Sequence, residues 1–249
     1  MRVKLIVSYD GSAYHGWQIQ DNGISVQQVL NDTISAFFGQ EIKVTGASRT
    51  DTGVHALGNV AAFDVDTKMP AEKISYALNQ SLPEDIVILD SCEVPADFHP
   101  RFHKGKKTYE YRILNRRFPD PLTRRFTLHY HYPLDAKRMA EAASYLVGEH
   151  DFTTFSSIHA QTNHFVRTLY ACEVKRDGDL ITIHVEGSGF LYHMVRIIAG
   201  TLIEVGAGRR EPSQIKEILK QKDRSLAGPT APPEGLTLVS IVYANEDLA

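Results

Sequence analysis

The stretch Gly46-Ala47-Ser48-Arg49-Thr50-Asp51-Thr52-Gly53-Val54-His55 gathers an arginine, a carboxylate, a histidine and three small hydroxyl side chains, with glycines before and after the acid. The apolar alternating run Val60 to Val65 follows directly, so the acid falls in a turn between two strands. Glycines there let the backbone bend and a ligand approach closely. Arg49 and Asp51 lie two apart and share a face in extended backbone, which sets a guanidinium beside the carboxylate. That neighbour favours the ionised acid and would keep it a nucleophile or base at neutral pH. The plainer reading is a turn-capping aspartate with a surface ion pair, and an isolated Arg-x-Asp in a glycine turn more often means that.

A second stretch, Gly187-Ser188-Gly189-Phe190-Leu191-Tyr192-His193-Met194-Val195-Arg196, ends a strand and begins a helix. Phe190, Met194 and Ile197 share one helical face, and His193 and Arg196, three apart, share another. A cation on a helix otherwise built of Ile, Val and Leu needs a partner. Asp51 is the natural candidate, and an arginine snorkelling to solvent is the bland alternative.

The third feature is electrostatic. Arg101, Lys104, Lys106, Lys107, Arg112, Arg116, Arg117, Arg124 and Arg125 are opposed within their stretch only by Glu110 and Asp120. Phe102, Tyr109, Tyr111, Phe118 and Phe126 are interleaved with them. Basic residues carrying aromatics suit a surface that grips phosphates and stacks on bases. A strand edge guarded by lysines explains the segment about equally well. One of the two tyrosines belongs to the core, and a tyrosine facing a cleft can stack on a planar base.

Other features narrow the function class. The net charge of −3 argues against charge-driven, non-specific nucleic-acid binding. With 43% hydrophobic and 23% charged residues, the chain reads as globular rather than disordered or fibrous. No apolar run approaches the roughly 20 residues of a membrane span. Met1 to Tyr9 alternates and meets Asp10-Gly11, the pattern of a strand and not of a signal peptide. Cys92 and Cys172 make neither a metal spacing nor a redox pair, which fits a reducing, cytoplasmic home. His129-Tyr130-His131 reads as strand residues, with no carboxylate or thiol at ligand spacing, so no metal is expected. No Gly-x-Gly-x-x-Gly follows a strand and no Walker loop is present, so no nucleotide cofactor is expected.

The elements that must position these groups follow from periodicity. Strands are expected at Lys4–Tyr9, Ile42–Thr45, Leu57–Val65 and Ile86–Cys92. A helix over Val26–Phe38 has Ser25 as N-cap and Gly39 as its end, and a second runs from Pro70 to about Ser81. The second half offers a strand at Lys107–Asn115, a helix at Asp135–Val147, and strands Phe165–Lys175 and Leu180–Glu186 paired across Asp177-Gly178-Asp179. Helices over Phe190–Val205 and Glu211–Lys222 and a strand at Leu236–Tyr243 complete it. The expected fold is α+β: two similar β-α-β-β-α-β units of ferredoxin- or RRM-like kind, forming a mostly antiparallel sheet with helices on one face and a central cleft. The domains are drawn at 1–104, carrying the aspartate loop, and 105–249, completing the cleft.

Five collinear motifs spanning nearly the whole chain carry a resemblance. They are Tyr9-Asp10-Gly11 with Tyr14-His15-Gly16-Trp17-Gln18-Ile19-Gln20; Gly46 to Ala56; Phe98 to Phe102 with Tyr109-Glu110-Tyr111-Arg112; His193-Met194-Val195-Arg196 with Gly200; and Ala227 to Leu236. Together they resemble the tRNA pseudouridine synthase A family, departing from its pattern at Thr52 and at Gly228-Pro229. The resemblance implies isomerisation of uridine to pseudouridine at positions 38, 39 and 40 in the anticodon stem-loop of tRNA, by a homodimer without cofactor or metal. It implies Asp51 as the catalytic aspartate and Arg49 as the loop arginine that replaces the flipped base. It implies Tyr109 as the tyrosine stacked on the uracil, Arg196 as the arginine that pairs with the aspartate, and Leu236 as part of the uracil pocket. Arg101, Lys104, Lys106, Lys107, Arg112, Arg116 and Arg117 are then the expected RNA-binding residues.

The residues leave the chemical route open between attack on C1′, removal of the C2′ proton and attack on the base. A non-catalytic RNA-binding protein on the same paired sheets is the alternative that the basic stretch supports equally well. An aspartate-dependent glycosidase is disfavoured, because it wants a second carboxylate and the loop holds none.

Overall fold

The computed structural model describes residues 1–244. In chain order its regular elements are β1 (Arg2–Tyr9), α1 (Val26–Phe38), β2 (Thr45–Gly46), β3 (His55–Asp64), α2 (Ala71–Leu78), β4 (Ile86–Val94), β5 (Gly105–Leu114), β6 (Leu128–His129), α3 (Ala136–Ser144), β7 (Gly148–Asp151), β8 (Val166–Asp177), β9 (Leu180–Gly187), α4 (Met194–Gly206), α5 (Gln214–Gln221) and β10 (Leu236–Tyr243). The fold is α+β and its strand pairing is mostly antiparallel. Pairs β1–β3, β1–β4, β2–β3, β5–β9, β7–β8 and β8–β9 run antiparallel, and β5–β6 runs parallel.

The chain groups into two compact units, residues 1–105 with those from Leu238 on, and Lys106–Thr237. Sequence had drawn the division at 104/105 and left the last strand with the second half. Most of β10 instead groups with the first unit, where it lies beside β3. Strand pairing is long-range, and a cut placed by chain order does not see it.

In the first unit β1 alternates strictly, turning Val3, Leu5 and Val7 inward with no exposed surface. α1 answers with Val26, Leu30 and Ile34, one buried position every three or four residues. Each such fully buried aliphatic side chain contributes about 1.5–3 kcal/mol relative to exposure. Ser25 caps α1 by accepting from the Gln28 amide at 3.2 Å, and Gly39 ends it in the left-handed region. The expected strand at Ile42–Thr45 contracts to Thr45–Gly46. The backbone amides of Ile42 and Val44 are taken by α1 side chains, Ser35 Oγ at 2.9 Å and Asn31 Oδ1 at 2.8 Å, so they are not available to a ladder.

In the second unit β9 turns Ile181, Ile183 and Val185 inward. α3 supplies Met139, Ala142 and Ala143, and α4 is buried along almost its whole length. α4 begins four residues later than the apolar run implied. His193 precedes it at φ 62, a left-handed conformation that stops the helix from extending back through Phe190. The strand read at His129–His131 is present only as the two-residue β6, and β7, at four residues, was not anticipated because it is too short for periodicity to reveal. Among the described residues no helix is long and apolar enough to cross a membrane.

Candidate active site

In the first unit residues 47–54 form a loop between β2 and β3. Its near end is fixed by the Ala47 amide on the Val60 carbonyl at 2.8 Å. Asn59, buried in β3, accepts from the Ser48 amide at 3.3 Å and donates to the Ser48 carbonyl at 3.1 Å. The same amide nitrogen reaches the Tyr9 hydroxyl at 3.4 Å, and that hydroxyl lies 2.8 Å from Thr50 Oγ1. The Trp17 amide donates to the Thr50 carbonyl at 3.1 Å, and the Gly53 amide to the Tyr14 carbonyl at 3.3 Å. Within the loop, the Val54 amide closes a turn on the Asp51 carbonyl at 3.1 Å. Asp51 is therefore presented by backbone whose polar groups are tied down on both sides.

Residues 9–17 form the bed of this loop. Gly16 sits at φ 79, and a Cβ there would overlap the Thr50 carbonyl oxygen. Only glycine fits on both counts. Tyr14 anchors the bed by donating to Asp85 Oδ1 at 2.6 Å, and burial first, then Asp85, pushes its hydroxyl above the ordinary tyrosine range. His55 is buried, with Nδ1 3.1 Å from both the Gly11 amide nitrogen and Asp10 Oδ1. Tyr9, Trp17, Thr50 and Asn59 were not singled out as site residues from residue type. The motif spanning residues 9 to 20 pointed toward Tyr9 and Trp17, the aspartate loop itself contains Thr50, and no motif contained Asn59.

Asp51 is half-buried and Arg49 is exposed. The turn closes over Asp51 to Val54, leaving Arg49 and Thr50 in irregular backbone before it. Arg49 shares its electrostatic neighbourhood with Arg101, whose guanidinium is held below its ordinary pKa by burial and then by Arg49. Arg101 Nη2 donates to the Gly46 carbonyl at 3.4 Å, tying the turn after Phe98 to the start of the loop.

In the second unit Tyr109 and Tyr111 both lie on β5, opposite Val185 and Ile183 of β9. Both are buried, Tyr111 completely: its hydroxyl donates to the Pro232 carbonyl at 2.8 Å, and burial raises its pKa. The Tyr109 ring meets Phe190 edge-on, 5.0 Å between centroids. Arg196 lies in the first turn of α4, where its Nε donates to the Ala231 carbonyl at 2.7 Å and its own carbonyl accepts from the Ala231 amide at 3.0 Å. Gly200, one turn on, lets the 227–235 segment lie directly on the helix, since a Cβ there would overlap the Pro229 carbonyl. That segment delivers Leu236, which is buried.

The basic stretch is more compensated than its sequence implied. Lys106 pairs with Glu186 at 3.0 Å, an acid from β9 that no local reading could supply. Arg112 pairs with Glu110 at 2.9 Å, and Arg116 lies 3.5 Å from Asp120 and 3.9 Å from Asp179. Arg117 lies over the Phe118 ring at 5.0 Å. Lys104 is exposed and Lys107 half-buried. Arg49, Asp51, Arg101 and Lys104 thus belong to the first unit, and Lys106, Lys107, Tyr109, Arg112, Arg116, Arg117, Arg196 and Leu236 to the second.

Comparison with known proteins gives a consistent result. The family model described as tRNA pseudouridine synthase matches residues 5–103 and 142–244. The tRNA pseudouridine synthase A of Thermoanaerobacter sp. (strain X514) is 48% identical over 241 residues, covering 97% of this chain and 99% of that protein. Proteins of the same name from Ruminiclostridium cellulolyticum and Geotalea uraniireducens are 47% and 45% identical over 243 and 242 residues, with the same coverage of both chains. A chain in the crystal structure of a Cbf5-Nop10-Gar1 complex aligns with 81% of this chain and 45% of its own length, at TM-score 0.33 and 15% identity, too low to bear on the fold.

Proposed function

The chain belongs to the tRNA pseudouridine synthase family, and from that premise we propose where on tRNA it acts and which residues carry the reaction. The protein is an enzyme that isomerises uridine to pseudouridine in tRNA. The reaction breaks the N1–C1′ bond, turns the base and makes a C5–C1′ bond. C5 loses a proton and N1 gains one. Nothing is oxidised, reduced or transferred to another molecule, so the balance asks for no cofactor.

The substrate site is the anticodon stem-loop, at positions 38, 39 and 40, and Asp51 is the nucleophile or base. Its carboxylate attacks C1′, removes the C2′ proton or adds to the base, and each route needs it ionised and within reach of an extruded nucleoside. The observation that carries this reading is the set of hydrogen bonds from Ala47, Ser48, Thr50, Gly53 and Val54 around a half-buried Asp51. A loop fixed before substrate arrives has little left to order in the transition state. Extruding the uridine costs about a few kcal/mol, which aromatic stacking and hydrogen bonds must offset. The family resemblance assigns the stacking to Tyr109, the place of the flipped base to Arg49, the counter-charge of the carboxylate to Arg196 and a wall of the uracil pocket to Leu236. Arg101, Lys104, Lys106, Lys107, Arg112, Arg116 and Arg117 bind the RNA backbone. The working form is a homodimer in the cytoplasm.

The test is Asp51→Asn and Asp51→Ala on an anticodon stem-loop RNA with no metal or nucleotide added, mapping pseudouridine at each uridine. Wild type should modify positions 38 to 40, and both variants should bind RNA without modifying it. Turnover retained in either variant removes Asp51 from the reaction. Released uracil in place of isomerised product would make the enzyme a hydrolase. Sedimentation of the active protein as a monomer would overturn the dimer.

A further inference from the structure

Phe102 is 77% exposed, yet the turn that carries it is held rigidly. A single apolar side chain at a surface is ordinary. This one stands on backbone that is fastened at nearly every residue. Arg2 Nε donates to the Phe98 carbonyl at 2.6 Å, and the Tyr243 hydroxyl donates to the Pro100 carbonyl at 2.6 Å. The His99 carbonyl accepts from the amides of Phe102 and His103, both at 3.1 Å. His99 Nδ1 accepts from the Arg101 amide at 3.2 Å, and His103 Nδ1 accepts from the His99 amide at 3.0 Å. The His99 imidazole lies against the Phe102 ring, 4.3 Å between centroids and tilted by 31°. Burial holds the His99 pKa below its ordinary value, which suits the unprotonated Nδ1 that the Arg101 amide requires. One side of the phenylalanine ring is thus backed, and the remainder faces water.

The same turn is tied to the aspartate loop in two independent ways. Phe98 and Tyr243, whose rings meet edge-on at 5.3 Å, share a buried cluster with Ala47, the first residue of the loop. Arg101 Nη2 donates to the Gly46 carbonyl at 3.4 Å. Phe102 is therefore fixed relative to the start of the loop that presents Asp51. Along the chain it is flanked by the half-buried Arg101 and the exposed Lys104. An open aromatic ring between two cations fits a base joined to its phosphates. A partner that was only apolar would leave both cations unanswered.

We propose that Phe102, backed by His99, is the platform on which one unpaired base of the anticodon loop stacks while a nearby uridine is extruded, an inference that rests on the reading of Asp51 as the catalytic residue and of the stem-loop as its substrate. Every base has a π-face, so such a platform sets the register of the RNA without reading its sequence. Arg101 and Lys104 meet the phosphates beside that nucleotide. Phe102 is a positioning residue: the base it holds does not react, and holding it fixes which uridine reaches Asp51.

The test uses full-length wild type, Phe102→Ala, Phe102→Leu and Phe102→Trp, with stem-loop RNAs carrying one abasic nucleotide at a time through the loop. In wild type, one abasic position should weaken binding roughly five- to hundredfold more than its neighbours do. Phe102→Ala should lose a similar factor on intact RNA, lose nothing further at that position, and keep the salt slope of wild type, since no charge has been removed. Phe102→Trp should recover the binding. Phe102→Leu should not, because leucine keeps apolar bulk without a π-face. If the Ala variant does not fold, the Leu and Trp variants carry the same comparison. Equal losses at every abasic position, additive losses in Phe102→Ala, or wild-type binding by Phe102→Leu would each overturn the proposal. So would a change from dimer to monomer in Phe102→Ala, because the ring would then be a contact between subunits and not with RNA. Failure of wild type to make pseudouridine in intact RNA would instead sink the reading on which the proposal rests.

Discussion

The Tyr9 hydroxyl lies 2.8 Å from Thr50 Oγ1, one residue before Asp51, and accepts from Asn59 Nδ2 at 3.4 Å. The end of β1, the loop and β3 are thus joined through one buried phenol. Tyr9→Phe keeps the ring and removes the junction. It should cost about 0.5–1.5 kcal/mol of stability, a melting temperature lower by a few degrees in a protein of this size. Because the loss falls beside the carboxylate, kcat should drop more than KM rises. A variant with unchanged kcat would show that the phenol holds the fold and not the loop.

Gly16→Ala attacks the same loop from beneath. The left-handed backbone costs an ordinary residue about 1–2 kcal/mol, and the new methyl also meets the Thr50 carbonyl. A backbone oxygen cannot swing aside as a side chain would, so the loop must shift. Single-turnover pseudouridine formation should fall at least tenfold, alongside a lower melting temperature. Full activity in Gly16→Ala would mean the loop tolerates displacement and is not preorganised.

How much of this was legible before the structure depends on how far along the chain each cause lies. α1 was placed residue for residue because its signals are local: Ser25 caps it, Gly39 ends it and the apolar spacing runs between. The strand expected at Ile42–Thr45 was mostly lost because Ser35 and Asn31 take its amides, a competition visible only once α1 has folded against it. The candidate aspartate could be found from its glycines and arginine, but Asn59, which holds the loop from β3 through both polar groups of Ser48, could not, because nothing in its residue type marks it. Likewise Glu186, which neutralises Lys106, arrives through the β5–β9 ladder from eighty residues away, so counting charges within the stretch overstated its positive field.

That compensation predicts unequal contributions to RNA binding. Lys106 is committed to Glu186, whereas Lys104 is exposed with no acid paired to it among the described residues. Lys104→Gln should therefore lower the salt slope of tRNA binding by about one. Lys106→Gln should lower it by less, and Glu186→Gln should strengthen binding. Equal slopes for the two lysine variants would count against the pairing surviving in the complex.

The two cysteines should react differently. Burial first, then Glu173, pushes the Cys172 thiol up to about 12, so at pH 8 it carries almost no thiolate and is enclosed besides. Cys92 is half-buried in β4. Iodoacetamide at pH 8 should label one thiol per native chain and two once the chain is unfolded in denaturant, with peptide mapping placing the first label on Cys92. Labelling of Cys172 at the native stage would show that β8 opens far more readily than its packing indicates.

Gly200→Ala tests whether α4 and the 227–235 segment act as one piece. Alanine normally favours a helix interior over glycine by about 1 kcal/mol. Here a Cβ would overlap the Pro229 carbonyl, while the Gly228 amide is held by Thr201 Oγ1 at 2.9 Å and Ala231 is held twice by Arg196. The segment is thus pinned on both sides of the clash and cannot lift off at one point. Overpacking of this kind costs about 1–3 kcal/mol, which outweighs the gain in helix propensity, so the melting temperature should fall despite the better helix former. Displacing Ala231 also removes the acceptor of Arg196 Nε, so kcat should fall with stability. A variant more stable than wild type would mean that propensity wins and the segment yields, and Arg196 would then owe its position to the helix alone.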